Sequence, residues 1–133
     1  MSECSNSNSY QDYVEKMKAR TKALALRVIR LVDAFPKKEA ARIIARQLLR
    51  SATSVGANYR AACRVRTRKE FAAKIRIVCE ESDETQYWIE LAMESGMVAA
   101  HRMEELYGEA SELVAIFTKA LDTARRKTRG RGL

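Results

Sequence analysis

Residues 67–96 read TRKEFAAKIRIVCEESDETQYWIELAMESG, and the order of these residues decides the fold class. Thr67 is followed three positions later by Glu70, and Phe71 opens an apolar run. This is a capping-box signature, in which a hydroxyl and a carboxylate satisfy backbone N–H groups that have no partner at a helix start. From there Phe71, Ile75, Val78, Ser82, Thr85, Ile89 and Ala92 recur at alternating steps of four and three, which sets them along one helix face. Gly96 then stops the helix, since glycine readily takes the left-handed conformation that follows a helix end. Tyr87, Trp88 and Leu91 lie beside the stripe and widen it beyond what one bundle core needs, so they are the expected oligomer interface.

The same rhythm continues on both sides. Between Lys37–Glu39 and about Cys63, Ile44, Leu48, Ser51, Val55, Asn58 and Ala62 form a second stripe, thin in its middle. Gly56 within it lowers helix propensity by about 1 kcal/mol relative to Ala, so a neighbouring helix is expected to approach closely there. Before it, Met17, Thr21, Leu24, Val28, Leu31 and Phe35 mark a first helix from about Tyr10, stopped by Pro36. After it, Met103, Leu106, Ala110, Leu113, Phe117, Leu121 and Ala124 mark a fourth, starting near Val98 to His101. Short connections between amphipathic helices favour an all-α, antiparallel, up-down-up-down four-helix bundle. The expected division is a disordered polar N-terminus at 1–9, the bundle at 10–125 and a basic flexible tail at 126–133.

Composition narrows the function classes. The chain of 133 residues suits one domain and contains a single proline. Its three cysteines, Cys4, Cys63 and Cys79, have no C-x-x-C spacing, which argues against a disulfide framework or a zinc knuckle. The polar start lacks the apolar stretch of a signal peptide, and no later run suits a membrane span, so a cytoplasmic protein without a membrane partner is expected. His101 is the sole histidine, with no nucleophile or orienting carboxylate in view, and no Walker, dinucleotide or metalloprotease motif occurs. The carboxylates from Glu80 to Glu84 lack the Glu-x-x-His partners of a di-iron bundle. Neither an enzyme nor a cofactor or metal site is expected.

The bundle topology gives the charges a geometry. A hairpin between the second and third helices pairs positions whose numbers sum to roughly 130, placing Ser51 near Cys79 or Ser82 and Gln47 near Thr85. Gln47, Ser51, Asn58, Ser82 and Thr85 then form a polar seam, read as a hydrogen-bond network that fixes helix register. One end of the bundle collects Arg60, Arg64, Arg66, Arg68, Lys69, Lys74 and Arg76 with Arg125, Arg126 and Lys127, and Lys16, Lys18 and Arg20 lie towards it. Arg68 and Lys69 oppose the dipole of the helix they begin, so helix stability does not account for them. A net charge of +8 suits a polyanion partner. A solvated face, a site for RNA or DNA phosphate and a contact with the acidic band Glu80–Glu94 of another subunit all fit such an end.

At Gln47–Arg60 (QLLRSATSVGANYR), Arg68–Phe71 (RKEF) and Glu84–Leu91 (ETQYWIEL) the chain resembles the bacterial four helix bundle protein family. That family includes proteins encoded in intervening sequences of large-subunit ribosomal RNA genes, and is related in fold to accessory variability proteins of diversity-generating retroelements. The similarity covers roughly residues 15–125; Asn58, Arg60, Glu70 and Phe71 match its motif, while Ala61 stands where the family commonly has Glu. The resemblance implies a bundle that assembles into a homopentamer, a basic nucleic-acid surface in the retroelement relatives, and no enzyme. The expected function is therefore non-enzymatic binding of nucleic acid backbone through the basic end. The alternative is an assembly or scaffold protein acting through protein–protein contacts.

Overall fold

The computed structural model describes the backbone of residues 2–132 and the side chains of residues 8–128. Four helices follow one another: α1 (Ser2–Val32), α2 (Glu39–Ala62), α3 (Arg68–Glu94) and α4 (Ala100–Gly132). Each packs against the next in sequence, and α1 also touches α4 lightly, which closes the up-down-up-down arrangement. The four stripes meet in one core, in which Met17, Leu24, Val28, Leu48, Val55, Ile75, Val78, Ile89, Met103, Leu113 and Phe117 are buried.

Local chemistry explains the helix ends. The last turn of α1 tightens through Ala34 N–H to Leu31 and Phe35 N–H to Val32, and Pro36 follows. Thr67 caps α3 by accepting from the Glu70 N–H at 3.1 Å, while the Glu70 carboxylate reaches back to the Arg66 N–H at 3.3 Å, one residue earlier than a standard capping box. Gly96 follows α3 at φ +74°, a conformation that the absence of a Cβ makes accessible.

The outer helices are longer than the apolar pattern marks. Residues 2–9, expected as a disordered terminus, continue α1 as helical backbone, and residues 126–132, expected as a tail, continue α4. Neither stretch contains proline, and each extends a helix already nucleated inside the bundle.

Gly56 sits where α2 comes close against Thr21 of α1. A Cβ there would lie 3.3 Å from Thr21 Oγ1. Thr21 is fully buried and shares its hydroxyl proton between the Met17 and Lys18 carbonyls at 3.0 and 3.1 Å, so the gap in the apolar stripe of α1 is filled without an unsatisfied polar atom. No helix among the described residues is long and apolar enough to cross a membrane.

Candidate nucleic-acid interface

In the middle of the bundle, polar groups answer one another. Thr85 Oγ1 lies 3.0 Å from Ser51 Oγ and 2.8 Å from the Glu81 carbonyl, and Ser51 Oγ lies 3.2 Å from the Leu48 carbonyl. With one proton each, the two hydroxyls satisfy one another and one carbonyl. Ser82 donates to the Val78 carbonyl at 2.7 Å. The seam is therefore made by Ser51, Thr85 and Ser82, with Ser51 facing Thr85 rather than Cys79 or Ser82.

Gln47 and Asn58 fall outside it. Gln47 accepts from Arg50 Nε at 3.2 Å on the outer side of α2, and Asn58 donates to the Ser54 carbonyl of its own helix at 2.9 Å. Beside the seam Arg50 bridges α2 to α3, donating to Glu81 at 3.1 Å and to Glu84, which also accepts the Trp88 indole N–H at 3.1 Å. The Arg50 guanidinium foremost, with the Trp88 N–H adding to it against the opposing effect of burial, holds the Glu84 carboxyl below its ordinary value. On the opposite side of the bundle Arg20 grips Glu109 through two nitrogens, at 2.5 and 3.2 Å, and joins α1 to α4.

The basic end is built differently. Tyr10 and Tyr13 from α1, Tyr59 to Thr67 from α2 and its turn, Arg68 to Ile75 from α3 and Ile116 to Lys127 from α4 enclose one open cavity of about 710 Å³. Its floor is apolar and buried: Val14, Tyr59, Ile75 and Phe117, with the Tyr59 and Phe117 rings 5.5 Å apart. Burial, and after it the neighbouring Cys63 thiol, push the Tyr59 phenol far above its ordinary value.

Its mouth carries Arg66, Arg68, Lys119 and Lys127, all exposed, and among the described residues no carboxylate lines it. Among the described residues no ion pair within 4.0 Å holds Arg60, Arg64, Arg66, Arg68, Lys69, Lys74, Arg125 or Lys127. Arg76 and Arg126 do have carboxylates, Glu80 at 3.9 Å and Asp122 at 3.5 Å. Arg60 lies instead on a groove between α1 and α2 with Lys18 and Lys22. Of the cations placed towards this end, Lys18 is engaged with Glu15 and Arg20 with Glu109, so neither is available to it as an unmatched charge.

Tyr10, Tyr13, Tyr59 and Lys119 are not apparent in the heptad pattern, and they join Phe71 and Phe117, which are, only where four segments meet in the folded bundle. Tyr87, Trp88 and Leu91 occupy one side of α3. Tyr87 is 52% exposed and packs edge-on to the half-buried Trp88 ring at 5.1 Å, and Leu91 is half-buried. Leu26, Ile29 and Ile43 are further exposed apolar side chains, on α1 and α2.

The fold and its polarised surface define a four-helix bundle of a basic, all-α class. Within that class the chain belongs to the 23S rRNA-intervening sequence protein family, whose model it matches over residues 3–119. Among solved structures it is similar to a protein of unknown function from the S23 ribosomal protein family of Bacteroides thetaiotaomicron, at 27% identity and a TM-score of 0.72. The similarity covers 78% of this chain and 96% of that one. The chain matches no curated protein sequence.

Proposed function

We propose that this protein is a non-enzymatic nucleic-acid-binding module that holds phosphate backbone at the basic end of its bundle. The observation that carries this reading is the set of exposed cations around the α2–α3 turn that have no carboxylate partner among the described residues, Arg64, Arg66, Arg68 and Lys69 foremost. Elsewhere on the same surface Arg20 and Arg50 are matched by glutamates. Unmatched cations at the start of a helix raise its energy, and a polyanion relieves them by releasing its own condensed counterions. The family description names 23S rRNA, which makes RNA the first nucleic acid to test.

The test is salt dependence. Binding of structured RNA weakens with a log–log slope of about −0.7 to −0.9 per phosphate contacted, and the combined Arg64→Gln, Arg66→Gln and Arg68→Gln variant flattens that slope. Binding that is absent, or indifferent to salt, overturns the reading.

A second reading, assembly of identical subunits, is favoured by the exposed Tyr87 ring on Trp88. A homo-oligomer, the pentamer implied by the family resemblance, would bury it. Tyr87→Ala then lowers the mass measured by light scattering, whereas an unchanged mass removes this surface from the interface.

A further inference from the structure

The cavity at the basic end has a composition that phosphate binding alone does not require. A backbone contact needs cations on a surface; here the cations surround an apolar recess with aromatic walls. Tyr10 and Tyr13, 60% and 48% exposed, stand three residues apart on α1 and line the cavity together with the half-buried Phe71 of α3. Exposed aromatic rings beside unmatched guanidinium groups form a platform on which a base, itself planar and aromatic, stacks while its flanking phosphates meet Arg66 and Arg68.

We propose that this cavity takes an unstacked nucleobase, so that the preferred ligand is single-stranded nucleic acid, or an unpaired loop, rather than continuous duplex. The inference rests on the reading of the basic end as a phosphate site and adds to it the conformation of the strand. A volume of about 710 Å³ accommodates a base with its sugar, and the open mouth allows the strand to enter and leave along the cationic rim. Charge selects the ligand class: among the described residues every ionisable group at the mouth other than the tyrosines and Cys63 is a cation, so an anionic strand is favoured. Ring walls, rather than an enclosed aliphatic tunnel, favour a base over an acyl chain. Stacking distinguishes bases little, since each presents a π-face, so tolerance of sequence is expected.

The experiment uses the full chain and two short RNA strands of equal length, one intact and one with the same phosphates but abasic residues at its centre. Fluorescence anisotropy at low salt is expected to show the intact strand bound roughly tenfold or more tightly than the abasic one. In the Tyr10→Leu, Tyr13→Leu variant that advantage disappears while the abasic strand binds as before. Leucine keeps the recess apolar, so loss of the advantage identifies ring stacking. In the Arg66→Gln, Arg68→Gln variant both strands weaken together.

Equal affinity for intact and abasic strands overturns the base pocket and leaves the phosphate reading standing. No binding of either strand or of duplex overturns both. If dodecyl phosphate binds and neither strand competes with it, the recess is an acyl site and the proposal fails.

Discussion

The middle of the bundle and its basic end use the same residue types to opposite effect. In the middle, Arg50 is answered by Glu81 and Glu84, Arg20 by Glu109, and the hydroxyls of Ser51 and Thr85 by each other. At the end, Arg64, Arg66, Arg68 and Lys69 have no carboxylate, and the tyrosines Tyr10 and Tyr13 have no core to enter. Among the described residues no buried side-chain polar atom lacks a partner, so the mismatch lies wholly at the surface. Interactions that hold the fold are closed within it, and those left open are the ones a partner can complete.

The largest effect that tests this division is on stability. Leu48 is fully buried among α2's neighbours, so Leu48→Ala removes apolar contact and leaves a cavity, lowering stability by about 2–5 kcal/mol. Arg64→Gln, at an exposed site without an ion partner, changes it by no more than about 0.5 kcal/mol. Urea denaturation of the two variants measures both. If Arg64→Gln destabilises as Leu48→Ala does, the basic end is part of the folding machinery and the division fails.

Most of the architecture was legible in the sequence because its signals are local. Pro36, Thr67 and Gly96 each act within one helical turn, and their boundaries are found within a few residues of Val32, Arg68 and Glu94. Gly56 also announced its role, since a glycine inside a helical stripe calls for a close neighbour, and Thr21 supplies it. The chain ends were less legible, as the polar residues 2–9 carry no apolar rhythm to mark a helix and follow α1 by continuity alone.

The candidate site was legible as charge and not as shape. Counting arginines around the α2–α3 turn finds the basic end, but the pairing of Arg20 with Glu109 spans 89 positions and has no local signature. The register of the seam shows the same limit. A hairpin rule places Ser51 near Cys79 or Ser82, and the observed partner, Thr85, is one turn beyond Ser82 along α3 although the α2–α3 connection between Ala62 and Arg68 is centred on residue 65, so the shift is a stagger of the two helices that no local signal announces. Gln47 and Asn58 are polar residues on the edges of the stripe of α2, where bonds to Arg50 and to Ser54 of the same helix are nearer than any across the core.

A smaller effect probes what the closed seam contributes. Thr85→Val keeps the shape of the side chain and replaces its hydroxyl by a methyl group, so no cavity forms. Ser51 loses Thr85 but still donates to the Leu48 carbonyl at 3.2 Å, which limits the loss to about 1 kcal/mol. Ser51→Ala removes the other half of the pair with a similar effect, and the double variant should be less destabilised than the sum of the two, because each single change already breaks the same bond. Full additivity in denaturation would show that the two hydroxyls act separately through the Leu48 and Glu81 carbonyls. Coupling would show that the closed polar pair between α2 and α3 acts as one unit, in contrast to the cations of the basic end several turns away, whose removal is expected to alter binding and leave stability in place.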